Sequence, residues 1–541
     1  MGNFTGTRGT CRPAPDGAEA VFVQSHSIYL LTLALTVALC GCSSGPPLVV
    51  PPPAGGFTNS SLKGQYVFSL TGIQGQNGAY SASIGSFTAD GAGNITSGLA
   101  DVLNLSSGQP ASLTSITGGS YSIQANGRGK ITLQSANGSL KLSLALQSAS
   151  SGFVMETDLA AATSGTIHLQ NPAQFSVTAL GAPYVFELSG ITFVPSSAAP
   201  ISLIGQFTTN GAGTITGGVM DTNNGNLTPS GATAIAAGAY ALDPSNGATF
   251  GRGTMTFGGY TFAFYIVDST HTVLLEEDTL GGSAGDAFLQ SGPVPTQDSE
   301  FKGSFVYLIN GLSTRSTPGP IVIAARFTAD GNGGLGSITL DQNNSGNYTH
   351  LSQASNASYS IDPAYSSSGR GTFTFINSGN TYSRVFYVIS STQAVVSDTT
   401  SGVNGNGPMT AQTSGPFALS ALTGKFVFSW SGVFEGVNST IPIQEDYIGQ
   451  YTLSNSSSSN IAGVNDYVQI ALSGNSLFTE VALGGTLSIN GDGTANNLYK
   501  FVVAGSPSVT VNFQAYFANP STVYMVTSDS TRTLAGVLSQ Q

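Results

Sequence analysis

Large apolar residues alternate with other residues in four stretches of the chain. The stretches begin at residues 62, 180, 301 and 422, so their starts lie 118, 121 and 121 residues apart. A period of two with one bulky face is typical of a half-buried β-strand. The alternating residues are Tyr66, Phe68 and Leu70; Tyr184, Phe186 and Leu188; Phe305, Tyr307 and Ile309; and Phe426, Phe428 and Trp430. The pattern predicts the same first strand in four repeated units.

A second repeated segment predicts a β-hairpin after each of the first three of these strands. Residues 84–101 read IGSFTADGAGNITSGLAD, and residues 204–221 read IGQFTTNGAGTITGGVMD. The dipeptides Asp90-Gly91, Asn210-Gly211 and Asp330-Gly331 each stand between two alternating runs. Such dipeptides favour tight hairpin turns because Asp, Asn and Gly tolerate positive φ.

Further short strands follow in each unit, about eight in all, and every connection between them is short. The fold class is therefore all-β, with four tandem antiparallel meander units that form small barrels or clam-like sheets. Immunoglobulin-like sandwiches are the alternative. The predicted repeats span residues 62–172, 180–292, 301–414 and 422–541.

Composition narrows the class of partner. Only 8% of the 541 residues are charged, and the net charge is −12 with 15 Lys and Arg. Binding to nucleic acid needs clustered basic residues, so no nucleic-acid partner is predicted. The three cysteines, Cys11, Cys40 and Cys42, all precede the repeats, so disulfides do not hold the units together.

The amino-terminal segment predicts export. Residues 28–40 are an uncharged apolar run, too short for a membrane span and suited to a signal peptide over residues 1–41, with an overlong region before the run. The following LCGCSSG resembles the bacterial lipobox, which implies lipidation of Cys42. An ordinary secretory signal or an uncleaved anchor is the alternative. Residues 42–61 are Pro-rich and predict an extended stalk.

The lipobox, the stalk and the repeats with FTADGxGxIT and GRGT together resemble surface lipoproteins of soil Acidobacteria. The resemblance implies location alone: a cell-envelope protein tethered to a membrane through its lipid. By analogy with lipoprotein sorting, Ser43 after the cysteine implies the outer membrane.

Acidic residues recur in pairs whose spacing is constant in the first three repeats. Asp101 and Asp158 lie 57 residues apart, as do their counterparts in repeats 2 and 3. These counterparts are Asp221 with Asp278 and Asp341 with Asp398, and the fourth repeat has Asp466 with Asp529. Such pairs can bind Ca²⁺ or serve as acid and base, but Asp at a strand end also caps turns. We expect the structural role and no metal site.

Five further residues are candidates for ligand binding. Arg128, Arg252 and Arg370 recur in a GRG motif, where each can pair with one of the Asp residues or recognise a carboxylate or sugar. Tyr265 and Tyr387 have the opposite phase to the core residues beside them, so they face outward. An outward tyrosine can stack on a sugar ring or pack between domains.

No motif supports catalysis. The G-x-S-x-G match at 281–285 and the glycines of 331–336 lack the strand-turn-helix context of hydrolases and dinucleotide-binding proteins. His168, His271 and His350 fall at non-equivalent points of their repeats. We therefore expect a non-enzymatic surface lipoprotein without cofactor, forming an extended structural or adhesive array. The alternative is a lipoprotein that binds surface glycans, other cells or small ligands; a surface hydrolase ranks last. The sequence predicts no oligomeric state.

Overall fold

The structure of the chain is a computed structural model. It describes residues 56–75, 78–105, 110–193, 198–224, 229–314, 319–352, 354–415, 417–435, 443–455, 460–471, 474–489, 498–504 and 508–541. All of them belong to one compact unit, Val49–Gln541. The predicted signal peptide, Cys42 and most of the predicted stalk lie outside the described residues.

The first repeat forms a closed barrel of eight antiparallel strands, with its first and last strands paired. Its strands are β1 (Lys63–Gln74), β2 (Ala79–Asp90), β3 (Asn94–Asn104), β4 (Ser112–Ile123), β5 (Arg128–Ser135), β6 (Gly138–Leu146), β7 (Ser151–Glu156) and β8 (Ala161–Leu169).

The second repeat forms a barrel in which two short strands share the fourth position, since both pair with the third strand. Its strands are β9 (Pro183–Thr192), β10 (Ala199–Thr209), β11 (Thr214–Asn224), β12 (Thr233–Ile235), β13 (Gly238–Leu242), β14 (Arg252–Phe257), β15 (Tyr260–Asp268), β16 (His271–Glu276) and β17 (Gly281–Leu289).

The third repeat forms a nine-stranded meander that, among its described residues, closes only through one isolated pairing, between Gly334 and Ser358. The non-glycine residues Ser337 and Asn356, which lie within the strands on either side of this pairing, have positive φ angles. Its strands are β18 (Lys302–Ser313), β19 (Gly319–Asp330), β20 (Leu335–Asn344), β21 (Asn347–Leu351), β22 (Ser355–Ile361), β23 (Arg370–Asn377), β24 (Asn380–Ser390), β25 (Gln393–Asp398) and β26 (Val403–Ala411). We call this unit the third barrel.

The fourth repeat forms a closed eight-stranded barrel like the first. Its strands are β27 (Gly424–Phe434), β28 (Ile443–Leu453), β29 (Ile461–Ala471), β30 (Gly474–Ser488), β31 (Leu498–Val503), β32 (Val509–Asn519), β33 (Thr522–Thr527) and β34 (Arg532–Gln540). The all-β prediction of tandem meander units is confirmed, and the alternative of immunoglobulin-like sandwiches is wrong.

The interior of each barrel is filled with side chains. All twelve alternating residues predicted for the first strands are buried in the four cores. The repeated phenylalanine of the hairpin stacks on the first-strand aromatic residue opposite it, as Phe87 does on Tyr66 at 5.9 Å between ring centroids. Such cross-strand aromatic pairs add to the stability from burial and fix the register of the hairpin.

Short helices cover one end of the barrels. Phe57, Phe175 and Phe417 precede the first strands and are buried in their barrel cores. The described residues 56–61, which fall within the predicted stalk 42–61, therefore contact the first barrel. The 3₁₀ helices are Asn59–Ser61, Pro172–Gln174, Val177–Leu180, Asp298–Glu300, Pro363–Ser368 and Leu419–Ala421, and one α-helical turn spans Gly247–Phe250.

The repeated hairpin turns form by side-chain hydrogen bonding. The Asp90 carboxylate accepts hydrogen bonds from the backbone N–H groups of Ala92 and Asn94, at 2.7 and 3.0 Å. Gly91 has the positive φ that the turn needs, +83°. Asn210 makes the same contacts with its amide oxygen, so the second repeat forms this turn without a carboxylate.

The four barrels contact one another in a closed ring. Each barrel packs the outer face of its first three strands against the outer face of the sixth to eighth strands of the next barrel, and the fourth barrel packs in this way against the first. We call these contacts junctions 1–2, 2–3, 3–4 and 4–1. Head-to-tail contacts of this kind form a ring when the rotation between units closes. The expectation of an extended array is therefore wrong.

Each junction has an apolar part, to which one outward position of the first strand contributes a valine in all four repeats. Val67, Val185, Val306 and Val427 occupy equivalent outward positions, and each is completely buried in its junction. A one-sided sheet would carry polar residues there. No helix among the described residues is long and apolar enough to cross a membrane.

Candidate functional site: the junctions and the cavity they enclose

Junction 1–2 contains a buried ion pair between barrels. Asp101, at the outer face of β3, accepts hydrogen bonds from Arg252 Nε and Nη2 of the second barrel, both at 2.8 Å. Tyr265 donates its hydroxyl to the same carboxylate at 2.8 Å. Asp243 and Glu277 of the second barrel also bind Arg252, at 3.0 and 2.7 Å. The bidentate geometry fixes the relative position of the two barrels.

Junction 2–3 repeats this arrangement one unit along the chain. Arg370 donates from Nε and Nη2 to the carboxylate of Asp221, both at 2.8 Å, and Tyr387 donates its hydroxyl at 2.6 Å. Asp362 holds the remaining side of Arg370 at 2.6 Å. The recurring arginine therefore pairs with the aspartate of the preceding repeat, a partner that the constant spacing does not identify.

Junction 4–1 closes the ring with the same pair of residue types. Arg128 of the first barrel donates from Nη2 to Asp466 at 2.7 Å, and Ser143 donates to the other carboxylate oxygen at 2.7 Å. Ala145 occupies the strand position that Tyr265 and Tyr387 have in barrels 2 and 3. Glu480 of the fourth barrel adds a second carboxylate to Arg128 at 2.7 Å.

Junction 3–4 holds its aspartate differently. Asp341 accepts a hydrogen bond from Tyr516 of the fourth barrel at 2.6 Å. Its other oxygen is contacted by His350 Nδ1 at 2.8 Å and by the hydroxyl of Tyr348, both of its own barrel. Burial raises the pKa of Asp341, although these hydrogen bonds lower it.

A glutamine after the last strand of each barrel binds the next barrel. Gln170, Gln290 and Gln412 donate their side-chain amides to backbone carbonyls of the following barrel, at distances from 2.6 to 3.1 Å. Gln541, the last residue, does the same to Leu146 and Asn126 of the first barrel, at 2.7 and 2.9 Å. Sequence reasoning missed these residues, although their near-constant spacing was available as a signal.

An outward position on the third strand differs between junctions. Asn223 donates to backbone carbonyls of Asp398 and Val403 in the third barrel, at 2.6 and 2.7 Å. Asn343 makes equivalent bonds to the 527–532 turn of the fourth barrel, at 2.9 to 3.0 Å. Leu103 and Val468 occupy this position in junctions 1–2 and 4–1 and contribute apolar contacts. The junctions therefore share a plan but are not interchangeable.

The second aspartate of each predicted pair caps a turn. Asp158, Asp278, Asp398 and Asp529 each accept a hydrogen bond from the backbone N–H two residues later, at 2.8 to 3.1 Å. The first aspartates lie in the junctions. The two members of a pair thus have separate structural roles, and within the described residues no cluster of three His, Cys, Asp or Glu side chains is arranged to hold a metal.

Of the two roles predicted for the outward-facing Tyr265 and Tyr387, the structure shows packing between domains. Both point out of their own barrel, as their phase indicates, but the neighbouring barrel covers them completely. Arg128, Arg252 and Arg370 are buried with them, at most 8% exposed. None of the five offers an open surface to a glycan, because each polar group is already bound to a partner in the adjoining barrel. Burial and the nearby Asp101 and Asp221 carboxylates raise the pKa values of both tyrosines well above the usual 10.

A cavity of about 240 Å³ with both polar and apolar walls lies where the first and last strands of barrels 1 and 2 meet the last strand of barrel 3. Glu187 of β9 and Asp286 of β17 line it and stand directly opposite each other in the antiparallel register. Asn406 contributes from the third barrel. Glu187 Oε2 is closed off from solvent and has no hydrogen-bond partner among the described residues. Burial, and then the Asp286 charge, raises the pKa of Glu187 to about 8.

Two histidines lie beside this cavity, across junction 1–2. His271 Nε2 contacts Asp286 at 2.7 Å, and the ring of His168 meets the His271 ring edge-on at 5.0 Å between centroids. Burial lowers the pKa of His168 to about 4, so this ring is neutral at ordinary pH. His350 lies at junction 3–4. The prediction that the histidines are not equivalent agrees with these positions.

A separate pocket of about 420 Å³ lies at the mouth of the second barrel, where β12 and β13 share one strand position. Met220, Phe257 and Tyr260 contribute its larger side chains, and Gly258 and Gly259 form part of its wall. It is a ligand-sized space beside the core of this barrel.

Comparisons with known proteins give no family. No family model and no curated protein matches the chain. Among solved structures, the chain is similar to the isotype 1 transferrin binding protein B from serogroup B Neisseria meningitidis, with 10% identity over 72% of this chain and 84% of that chain, at a TM-score of 0.19. It is similar to transferrin binding protein B from Haemophilus parasuis, with 10% identity over 92% and 98% and a TM-score of 0.16. The complex of CghA with Sch210972 matches at 10% identity over 66% and 86%, with a TM-score of 0.18. At these scores the likeness supports no conclusion about this chain's fold or function.

Proposed function

We propose that the protein is a non-enzymatic, lipid-anchored scaffold of the cell surface, held in the outer membrane through Cys42. The observation that carries this proposal is the closed ring of four filled barrels. Side chains fill the barrel cores and leave ligand-sized space only at the mouth of the second barrel among the described residues, and buried ion pairs between barrels favour one fixed arrangement.

The charge and polarity of the surface suit this role. With 8% charged residues, the chain is solvated mainly by hydroxyl and amide groups. Such a surface carries few sites for nonspecific electrostatic binding. The ring presents the loops of four barrels from one tether, which multiplies weak contacts with a neighbouring cell or polymer.

The anchor is tested by replacing the cysteine. Cells are labelled with an alkyne analogue of palmitate and then separated into membrane and soluble fractions. We expect the wild type to be labelled and membrane-bound and Cys42→Ala to be unlabelled and soluble. Cys40→Ala is the matched control and keeps the label. A Cys42→Ala protein that stays in the membrane would overturn the anchor.

The scaffold role is tested on cells. A strain without the protein is compared with strains that carry the wild type or Cys42→Ala in assays of cell aggregation and of attachment to surfaces. We expect only the wild type to restore attachment, since the scaffold works from the membrane. Full restoration by the unanchored variant would contradict the proposal.

A second candidate function, small-ligand or glycan binding, is favoured by the open pocket of the second barrel. Tyr260 lies at its rim, half-buried, and is placed to stack on a sugar ring. Saturable binding on a glycan array that is lost in Tyr260→Ala would favour this function. Tyr265→Phe is the control, because Tyr265 lies in a junction and not in the pocket.

A further inference from the structure

The cavity between the barrels has an acidic character that the fold alone does not explain. Glu187 and Asp286 face each other across paired strands, where side chains are about 5 Å apart at Cβ and like charges are unfavourable. The equivalent of Glu187 is Ser69 in the first barrel and Ser429 in the fourth, so the repeat does not require an acid there. A hydroxyl would fill the position without this repulsion.

Neighbouring residues supply hydrogen-bond partners to only some of the oxygens of Glu187 and Asp286. His271 contacts one oxygen of Asp286 at 2.7 Å. Oε2 of Glu187 has no partner among the described residues. The described residues that line the cavity include no Lys or Arg; besides the two acids they supply hydroxyls, glycine backbone, the Asn406 amide and the apolar side chains of Leu188 and Ala284. A buried carboxylate oxygen without a donor is costly unless something else satisfies it.

A third carboxyl group lies in the fourth barrel. Asp446 of the fourth barrel is completely buried, and Gln444 of its own strand donates a hydrogen bond to it at 3.1 Å. Glu187 also lines a smaller cavity of about 110 Å³ between barrels 2, 3 and 4, where Tyr524 and Gln393 lie. All four barrels therefore surround the same acidic position.

We propose that this cavity binds one hydrated divalent cation, Ca²⁺ or Mg²⁺, between Glu187 and Asp286. Both ions take oxygen ligands, and Mg²⁺ in particular is held by one or two carboxylates while it keeps several waters. A site with two carboxylates, several hydroxyls and space for water fits this chemistry. It does not fit Zn²⁺, which is bound by three or four Cys, His or acidic side chains. The inference departs from the sequence prediction of no metal site.

Because strands of three barrels line the cavity, the cation would bind the closed ring more tightly than an open one. A ligand that binds only the folded ring stabilises it in proportion to its occupancy. This role is independent of the lipid anchor, so either proposal can fail without the other.

The test is calorimetric titration of the full chain at pH 8 after treatment with EDTA. We expect CaCl₂ or MgCl₂ to bind at one site per chain, with a Kd of about 10⁻⁴ to 10⁻³ M, as in extracellular calcium modules. Glu187→Gln is expected to weaken binding at least about tenfold, the cost of one charged ligand. Asp286→Asn should weaken it as well. Choline chloride and NaCl at matched ionic strength should give no saturable heat.

Glu276→Gln is the matched control. Glu276 is also a buried carboxyl whose pKa burial raises to about 8, but Ser283 donates to it at 2.7 Å and it does not line the cavity. This variant should bind the cation like the wild type. Unchanged affinity in Glu187→Gln would overturn the proposal, as would choline binding equal to that of Ca²⁺ or the absence of saturable binding in the wild type. Should Glu187→Gln fail to fold, the partly exposed Asp286→Asn decides the result.

Discussion

Junctions 1–2 and 3–4 stabilise a buried aspartate with different partners. Both bury an aspartate of the third strand completely. In junction 1–2, Arg252 neutralises Asp101 from across the interface with two hydrogen bonds. In junction 3–4, Asp341 receives only a tyrosine hydroxyl from the next barrel, and its other partners come from its own barrel. The aspartate is thus the constant feature of the ring, while its partner varies.

The difference shows which contacts hold each junction of the ring together. An ion pair buried at a junction ties two barrels only if both charges are present, since one charge alone is costly to bury. Asp341 can instead take up a proton, because its pKa is raised by burial. Junction 1–2 should therefore be sensitive to mutation, and junction 3–4 to pH.

The largest effect is expected from removing the carboxylate of junction 1–2. Asp101→Ala removes two hydrogen bonds from Arg252 and one from Tyr265, each worth about 1.5–3 kcal/mol, although Asp243 and Glu277 still contact the guanidinium. Asp341→Ala leaves no buried cation of the next barrel and should cost less. The free energy of unfolding from urea titration compares the two, and equal losses would contradict the distinction.

The next effect is a dependence on pH. Burial raises the pKa of Glu276 to about 8 from its usual 4.5, and it raises that of Asp341 as well. The folded state then holds more protons than the unfolded state, so this stability is present in full below the unfolded pKa and is lost as pH rises through the folded pKa.

We therefore expect the melting temperature to fall between pH 5 and pH 9. A carboxyl group that binds its proton tenfold more tightly in the folded state contributes about 1.4 kcal/mol to this decline. Glu276→Gln should flatten the decline up to pH 8, and Asp341→Asn should make the decline smaller as well. A wild-type melting temperature that rises over this range would contradict the sign.

A smaller effect is expected from the tyrosine hydroxyls. Tyr265→Phe removes one hydrogen bond to Asp101, the ion-pair partner of Arg252, and keeps the ring that packs in the junction, which costs about 1.5–3 kcal/mol. Tyr387→Phe should cost a similar amount at Asp221. Tyr260→Phe serves as the control outside the junctions. A Tyr265→Phe protein as stable as the wild type would show that the arginine alone holds Asp101.

The smallest effect is expected from the glutamines that follow the last strands. Two of them allow a junction between consecutive repeats to be compared with the junction that closes the ring. Gln170→Ala and Gln541→Ala each remove side-chain hydrogen bonds to carbonyls of the adjoining barrel, worth about 1 kcal/mol apiece. We expect similar losses in both variants. If Gln541→Ala alone costs nothing in urea unfolding, junction 4–1 is not formed.

The barrels themselves could be predicted from the sequence, because alternation with period two and short turns determine an antiparallel meander. The constant repeat length also identified the aspartates and arginines that lie in the junctions. Their pairing could not be predicted, since a constant spacing is the same whether Arg252 meets Asp221 of its own repeat or Asp101 of the one before. Only the packing between barrels distinguishes the two partners.

One further feature of the sequence indicates that the barrels pack against one another. Val67, Val185, Val306 and Val427 lie between the core residues of the first strand and face outward, where a solvated barrel would carry polar side chains. Four apolar residues at one outward position indicate a covered face. The glutamines after the last strands are a second such signal. No sequence signal indicated the acidic cavity, because Glu187 and Asp286 are distant in sequence and are brought together only by the strand register.

The most direct test of the closed ring is the radius of gyration of the purified Cys42→Ala chain, measured by small-angle X-ray scattering. Four barrels closed on one another should give a value near that of a compact domain of this length, about 24 Å. The measurement is repeated for Asp101→Ala, in which an opened junction should enlarge the value. A wild-type chain with the much larger radius of four barrels in a row would contradict the ring.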